Sequence, residues 1–296
     1  MRIIVSGATG LIGTALQVRL QATGHEVVRL VRRDPAPGDI LWNPAAGELS
    51  PGALAGADAV VHLAGAGIGD RRWTTAYRRE ILDSRVRSTA LLAEAIASTS
   101  DGPRVMLSGS AIGYYGATGD ELLDESSAQG SGFLADVCRQ WEAAAAPASA
   151  RARVAFLRTG IVLSPEGGAL RKLLPLFRLG AGGRFGNGRQ WQSWISIHDE
   201  VGAIVHLLTA DRDGPVNLTA PDPVTNAEFT RVLAKVVRRP ALLPVPRIGP
   251  ALLLGGDLAD ALLYTGQRVV PRVLEQSGYR FEHPTLEGAL RSLLNR

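Results

Sequence analysis

The chain of 296 residues has a single cysteine, Cys138. One thiol cannot close an intramolecular disulfide, so the fold must stand on its apolar core, as suits a reducing compartment. Long apolar runs are also missing. No stretch reaches the roughly 20 apolar residues that a membrane-spanning helix requires. Charge of one sign is nowhere concentrated: the net charge of +4 comes from scattered Lys and Arg, with no run of five like charges. A nucleic-acid surface is therefore not expected, nor a membrane partner. Clusters with metal-ligand spacing are absent as well. With a strand pattern that begins at Arg2, no signal peptide is expected, and the anticipated location is the cytoplasm.

What is present is an ordinary globular composition, 46% hydrophobic and 20% charged, organised as alternating segments. Short apolar runs at 2–6, 26–31, 59–63, 105–108 and 154–157 are bounded by Gly, Pro or Asp, as buried parallel strands are. Between them, 14–22, 77–97 and 134–146 have helical length and period. On the middle helix Leu82, Val86, Thr89, Ala93 and Ile96 form an apolar stripe. This alternation predicts an α/β fold of Rossmann type, a doubly wound parallel sheet. The expected division is a nucleotide-binding domain over 1–165, with a returning segment at about 190–222. A smaller C-terminal α/β lobe is expected over 166–296, with a helix over 250–263 and a short strand after Gly278.

The sequence "IIVSGATGLIGTAL" sets Gly7, Gly10 and Gly13 between the first strand and the first helix. In such a turn the first glycine permits the bend, the second admits a pyrophosphate and the third lets helix and strand touch. Thr9, Leu11 and Ile12 lie in the same turn, where free backbone N–H groups meet an anion. The second strand ends at Arg32 and Arg33, where an NAD site would place a carboxylate. Two guanidinium groups suit a 2′-phosphate and point to NADP(H). Asp34 follows directly and keeps NAD open.

These motifs resemble the extended short-chain dehydrogenase/reductase family, in its NAD(P)-dependent epimerase/dehydratase group. "HLAG" looks like the family's fourth-strand motif, which implies cofactor contacts from Leu63, Ala64 and Gly65. "VRSTALLAEA" is similar to a family helix whose usual asparagine falls on Arg85. "LSGSAIGYYG" resembles the motif ending in a catalytic hydroxyl, which implies Ser110, with Ser108 beside the cofactor. The family's Tyr-x-x-x-Lys pair does not carry over. With Glu142 as the anchor, Leu134 stands at the tyrosine position and Cys138 at the lysine position. Neither supplies the proton donor or the cation that this chemistry uses. Cys138 reads as a packing residue, since no cation precedes it by one turn. "FLADVCRQWE", "GGRFGNGRQWQSWISIHD" and "GQRVVPRVLEQSGYRF" are similar to an atypical branch with a C-terminal domain of unknown function.

Several residues could supply the missing chemistry. Tyr114 and Tyr115, just after Ser110, are candidate proton relays. Arg85 lies beside the apolar stripe and needs an anionic partner, either the cofactor or Glu80. Glu80 could orient Arg85 or touch the cofactor itself. Arg189, Gln190, Trp191, Gln192 and Trp194 read as a loop at the substrate mouth. His198 and Asp199 invite a catalytic pairing, though Asp199 reads better as a helix N-cap. The expected function is an NADP-dependent oxidoreductase or epimerase-like enzyme of a small-molecule substrate, and homodimers are common in the superfamily. The competing expectation is an NADP(H)-binding sensor without turnover.

Overall fold

The computed structural model describes residues 1–241 and 243–296. Its centre is an eight-stranded sheet. The strands are β1 (Arg2–Ser6), β2 (Glu26–Val31), β3 (Ile40–Asn43), β4 (Glu48–Leu49), β5 (Ala59–His62), β6 (Val105–Ala111), β7 (Arg153–Thr159) and β8 (Gly214–Leu218). Their order is β8-β7-β6-β5-β1-β2-β3-β4, and every neighbour pair is parallel except β3 with β4. The chain winds outward from β1 in one direction and then, from β5, in the other. The crevice between β1 and β5 is the switch point at which open α/β sheets bind ligands.

The five apolar runs read from the sequence are strands of this sheet; the central ones are almost fully buried, and β2 alternates buried with half-buried residues. Ile3, Ile4 and Val5 in β1 and Ala59, Val60 and Val61 in β5 have no exposed surface. Both faces are covered by helices, as a parallel sheet needs. On one side pack α1 (Leu11–Ala22) and, further along the chain, α5 (Ile197–Thr209). On the other side lie α2 (Thr75–Ser98) and α3 (Phe133–Ala143). The buried stripe of α2 runs through Ile81, Arg85, Ser88, Leu92 and Ile96. Of the stripe expected at Leu82, Val86, Thr89, Ala93 and Ile96, the last three are buried and the first two are only half-buried, a small rotation of the N-terminal half. Three polar side chains, Arg85, Ser88 and Thr89, lie on the buried face; the first two meet buried hydrogen-bond partners there.

After β7 the chain forms α4 (Gly168–Arg178), then α5, then β8, which adds to the sheet edge. The remainder is mostly helical: α6 (Asn226–Val237), α7 (Ile248–Leu254), α8 (Gly256–Ala259), α9 (Arg272–Gln276) and α10 (Leu286–Leu293). Gly255, at φ +87°, breaks the single helix expected over 250–263, and a π-helical turn follows at Asp260–Tyr264. The strand expected after Gly278 does not form. That segment is held instead by Asp199, which accepts hydrogen bonds from the Glu282 and His283 amides at 2.7 and 3.0 Å and from Tyr279 Oη at 3.1 Å. Asp199 is not the N-cap of α5 either. Ser196 is, accepting from the Asp199 amide at 3.0 Å. His198 faces outward. Among the described residues no helix is long and apolar enough to cross a membrane.

The glycine turn is the tightest point of the fold. A Cβ on Gly7 would lie 2.7 Å from the Leu63 carbonyl, and Gly7 also sits at φ +69°. A Cβ on Gly13 would lie 2.2 Å from the Gly7 carbonyl oxygen. Gly13→Ala should therefore push α1 off β1 and cost about 1–3 kcal/mol. The measurement is thermal unfolding followed by circular dichroism, and an unchanged midpoint would show that the turn has slack.

Candidate functional site: a cleft at the switch point

The strands that end at the crevice open into one cleft of about 580 Å³. At one end is the glycine turn. Gly10 caps α1 without a side-chain bond, so the first N–H groups of the helix, at Leu11, Ile12 and Gly13, point outward with no intrahelical acceptor. Helix ends of this kind attract anions. Unlike its two neighbours, Gly10 is exposed and an added Cβ would meet only the Gly7 carbonyl oxygen, at 3.2 Å. Its bareness serves whatever approaches from the cleft more than it serves the packing beneath.

Toward the other end, the wall between β5 and β6 carries Arg85 from α2. Only 7% of this residue is exposed. Its Nη1 donates to the carbonyls of Ala66 at 2.9 Å and Ile81 at 3.0 Å. The guanidinium carbon lies 5.0 Å from the centre of the Trp141 ring. Among the described residues no carboxylate pairs with it, and desolvation lowers its pKa, opposed by Cys138 and Tyr77. An uncompensated buried cation facing a cleft is costly unless an anion or a lone pair joins it. Lysine is scarce in this chain, at Lys172 and Lys235, and both are exposed. Arg85 is the one cation lining the cleft among the described residues.

His62, at the end of β5, is fully buried and pushed down to about 3 by desolvation. It is therefore neutral. Its Nδ1 meets Ser6 Oγ at 2.6 Å and its Nε2 meets Ser88 Oγ at 3.0 Å, a bridge from β1 to α2. Because Ser88 gives its own proton to the Ser84 carbonyl, the pattern assigns the imidazole proton to Nε2.

Ser110 lies on the cleft floor beside Cys138 and Trp141. Trp141 packs so closely on β6 that a Cβ on Gly109 would come within 2.7 Å of it. The single hydroxyl proton of Ser110 is already engaged, donated to Glu142 Oε1 at 2.7 Å. Glu142 also accepts two bonds from Arg158, at 2.9 and 3.0 Å. Ser110 thus offers its lone pairs, not its proton, to the cleft. Cys138 is buried, and its thiol is pushed up to about 11 by burial and by Glu142. It is no nucleophile at neutral pH.

Tyr115 does not reach the cleft. It has no exposed surface, accepts from Arg158 Nη1 at 3.0 Å and donates to Asn217 Oδ1 at 2.8 Å. Burial pushes its phenol up to about 12. The reading of Tyr115 as a proton relay is corrected on this ground: its proton is held in a buried network. Tyr114 lies under the Arg158 guanidinium, 3.5 Å from ring centre to Cζ, and is likewise outside the cleft lining. Ser108 is fully buried, with only a long 3.5 Å bond to the Gly109 carbonyl. Glu80 is exposed and pairs with Arg71 at 3.7 Å, away from Arg85.

The other residues singled out from the sequence fall as follows. Gly7, Gly10, Leu11, Ile12, Gly13, Leu63, Arg85 and Ser110 line the one cleft. Thr9 is exposed on the outer side of the turn. Ala64 and Gly65 continue the wall from Leu63, and a Cβ on Gly65 would touch the Arg85 guanidinium at 3.2 Å. Arg32 and Arg33 are exposed just beyond the end of β2. Asp39, in the loop they open, is taken by Arg29 through two bonds at 2.8 and 2.5 Å. Of the mouth residues, Trp191 and Gln192 line the cleft. Trp194 is a core residue bonded to the Asp222 carbonyl. Gln190 ties the loop to the Leu263 carbonyl at 2.6 Å, and Arg189 is exposed.

The sequence reading passed over Thr159 at the end of β7 and the 261–267 segment, both of which line the cleft. A signal for the first is the polar pair Arg158–Thr159 that closes the strand after its apolar run. The second has none, because it reaches the cleft only through tertiary contacts such as Ser193 Oγ to the Gln267 carbonyl at 2.8 Å.

Residues 3–219 match the NAD dependent epimerase/dehydratase family. The chain belongs to that family. Residues 245–293 match DUF1731, a domain of unknown function. Similar family members include an epimerase family protein of Mycobacterium bovis, 46% identical over 97% of this chain and 96% of its own length. The human epimerase family protein SDR39U1 is 38% identical over 99% of this chain and 100% of its own. The crystal structure of that human protein with NADPH aligns at a TM-score of 0.92 and 37% identity, over 100% of this chain and 99% of that one. A nucleoside-diphosphate sugar epimerase from Corynebacterium glutamicum aligns at 0.79 and 38% identity, over 99% of this chain and 58% of that one.

Within this epimerase-family cleft, Tyr115 marks a division between packing and chemistry that can be tested. Tyr115→Phe leaves Arg158 Nη1 and Asn217 Oδ1 each short of a partner, at a cost of about 1–3 kcal/mol. Denaturant titration should register that loss while nucleotide binding stays at the wild-type level. Equal loss of both would return Tyr115 to the site.

Proposed function

We propose that this epimerase-family chain is an NADP(H)-dependent oxidoreductase or epimerase-like enzyme whose small-molecule substrate enters beside Trp191 and Gln192. The observation that carries the reading is the continuity of one cleft from the bare helix N-terminus at Gly10 to Arg85 and Ser110. The residues fit the cofactor. Gly10, Leu11, Ile12 and Gly13 would hold its pyrophosphate, and Leu63, Ala64 and Gly65 would pass its ribose. Arg32 and Arg33 would take a 2′-phosphate, their side chains standing free in solvent. A human relative was crystallised with NADPH, which supports the same choice. When bound, the nicotinamide supplies a two-electron donor or acceptor.

The chain's own groups then have defined tasks. Arg85 holds a fixed positive charge in a weakly polar enclosure, where it stabilises negative charge developing on a substrate oxygen. Ser110, with its proton held by Glu142, orients a substrate hydroxyl by accepting from it. Leu134, Val137, Ile112 and Leu262 exclude water from the floor and mouth. A second reading is favoured by Leu134 and Cys138: both line the cleft and neither can exchange a proton near neutral pH. Under that reading the chain binds NADP(H) as a sensor without turnover.

Calorimetric titration of NADPH, NADP⁺ and NADH into the purified chain tests the cofactor. One charge-assisted contact is worth about 1.5–3 kcal/mol, or roughly ten- to a hundredfold in affinity. NADPH should bind at least tenfold more tightly than NADH, and Arg32→Ala or Arg33→Ala should remove most of that margin. Failure of every nucleotide to bind would sink both readings. Binding with no NADPH consumption across a carbonyl library would select the sensor.

A further inference from the structure

Glu200, in the first turn of α5, is fully buried. Among the described residues its one hydrogen-bond partner is Thr159, whose Oγ1 donates to Oε1 at 2.9 Å. Oε2 has no partner. Buried carboxyls are ordinarily satisfied on both oxygens; this one is anchored at a single oxygen, and its anchor is a residue lining the cleft. Thr159 stands in register with Ala111, one residue beyond Ser110.

The surroundings favour a neutral acid. Burial pushes the Glu200 carboxyl up to about 8, with only the Thr159 bond opposing it. On its own helix the neighbouring titratable groups are Asp199 and exposed His198. From the C-terminal segment come Tyr279 and His283, both engaged with Asp199; Tyr279 also senses Glu200. From the strand side only the Thr159 hydroxyl acts on it, since Arg158 turns to Glu142 on the opposite face.

We propose that Glu200 and Thr159 form a proton relay into the cleft, and so serve as the acid/base pair of the reaction. This inference rests on the enzymatic reading of the cleft. Toward an alkoxide oxygen in the cleft, the Thr159 Oγ1–H bond breaks as the new substrate O–H forms. For this the hydroxyl turns its proton from Oε1 toward the cleft and accepts the acid proton carried on Oε1; that Oε1–H bond breaks as Oγ1 regains a proton, and the carboxylate remains. In the opposite direction a substrate hydroxyl gives its proton to Oγ1 while the Oγ1 proton passes to Oε1. Thr159 touches the substrate, and Glu200 stores the proton. An acid with a pKa near the working pH suits both directions.

The test needs neither substrate nor cofactor. Infrared difference spectra of the full chain should contain a protonated carboxyl band that titrates away near pH 8 and is absent in Glu200→Gln. On transfer to D₂O this band should shift promptly in wild type and Thr159→Ser, and at least tenfold more slowly in Thr159→Val. Thr159→Val keeps the glutamate, so the result stands even where Glu200→Gln folds poorly. Stability gives an independent reading. A carboxyl whose folded pKa is raised favours the folded state most below its ordinary value of 4.5, and that advantage is lost as pH rises toward about 8. Wild type should therefore lose melting temperature across this interval, and Glu200→Gln should lose less. No titrating band, or equal exchange in Thr159→Val, overturns the relay. Loss of NADPH binding in the calorimetric experiment would instead overturn the enzymatic reading and leave these spectra unchanged.

Discussion

The close approach of Gly7 to Leu63 is the constraint on which the molecule turns. Two backbones meet where a Cβ would lie 2.7 Å from a carbonyl carbon, and that contact brings the ends of β1 and β5 together at the crevice. Everything that faces the cleft is placed relative to it. Gly13 seats α1 against the turn, the N–H groups of the helix then face the opening, and His62, one residue before Leu63, ties β5 to α2. That tie sets the rotation of α2, and the rotation brings Arg85 inward. Moving the turn by an ångström would shift the anion site and the buried cation together.

Arg85 and Arg158 show how one residue type serves opposite ends on neighbouring elements. Arg158 is matched by Glu142 through two bonds and by Tyr115 through a third. Its charge is neutralised in place, and what it contributes is position for Ser110 and Tyr115. Arg85 has two carbonyls and an aromatic face but no carboxylate. Such a charge destabilises the empty fold and is offset only by what enters the cleft. In this chain the paired arginine is part of the scaffold, and the unpaired one faces the cleft.

Much of this was legible in the sequence, because it rests on local patterns. Five apolar runs with Gly, Pro and Asp at their ends are enough to mark five sheet strands, and a glycine triplet between a strand and a helix marks the switch point. That Leu134 and Cys138 share one face of a helix was also legible, from helical spacing, and both line the cleft. The rest depended on partners far away in the chain. Arg85 reads as a stripe-edge residue until Ala66 and Trp141 close around it. Tyr115 reads as a reactive phenol until Asn217, 102 residues on, accepts its proton. Asp199 reads as a cap until three groups from 279–283 arrive to occupy its carboxylate. The helix expected over 250–263 is broken because apolar period alone does not reveal that Gly255 takes a positive φ.

The distribution of protonation states argues for where chemistry is possible. A reaction at a substrate oxygen needs one group that stabilises charge and another that exchanges a proton near neutral pH. His62 is held neutral, Tyr115 keeps its proton to about 12 and Cys138 to about 11. All three are fixed by burial, and none can cycle. Arg85 supplies charge but not a proton, and Ser110 has given its proton to Glu142. Ser193 and Thr265 also line the cleft but give their protons to backbone carbonyls; that leaves Thr159, and behind it a carboxyl with one free oxygen. On the proposed relay, an α3 that presents Leu134 and Cys138 to the cleft does not leave it without either function. The cation stands on α2, the proton stands behind β7, and α3 is left to pack.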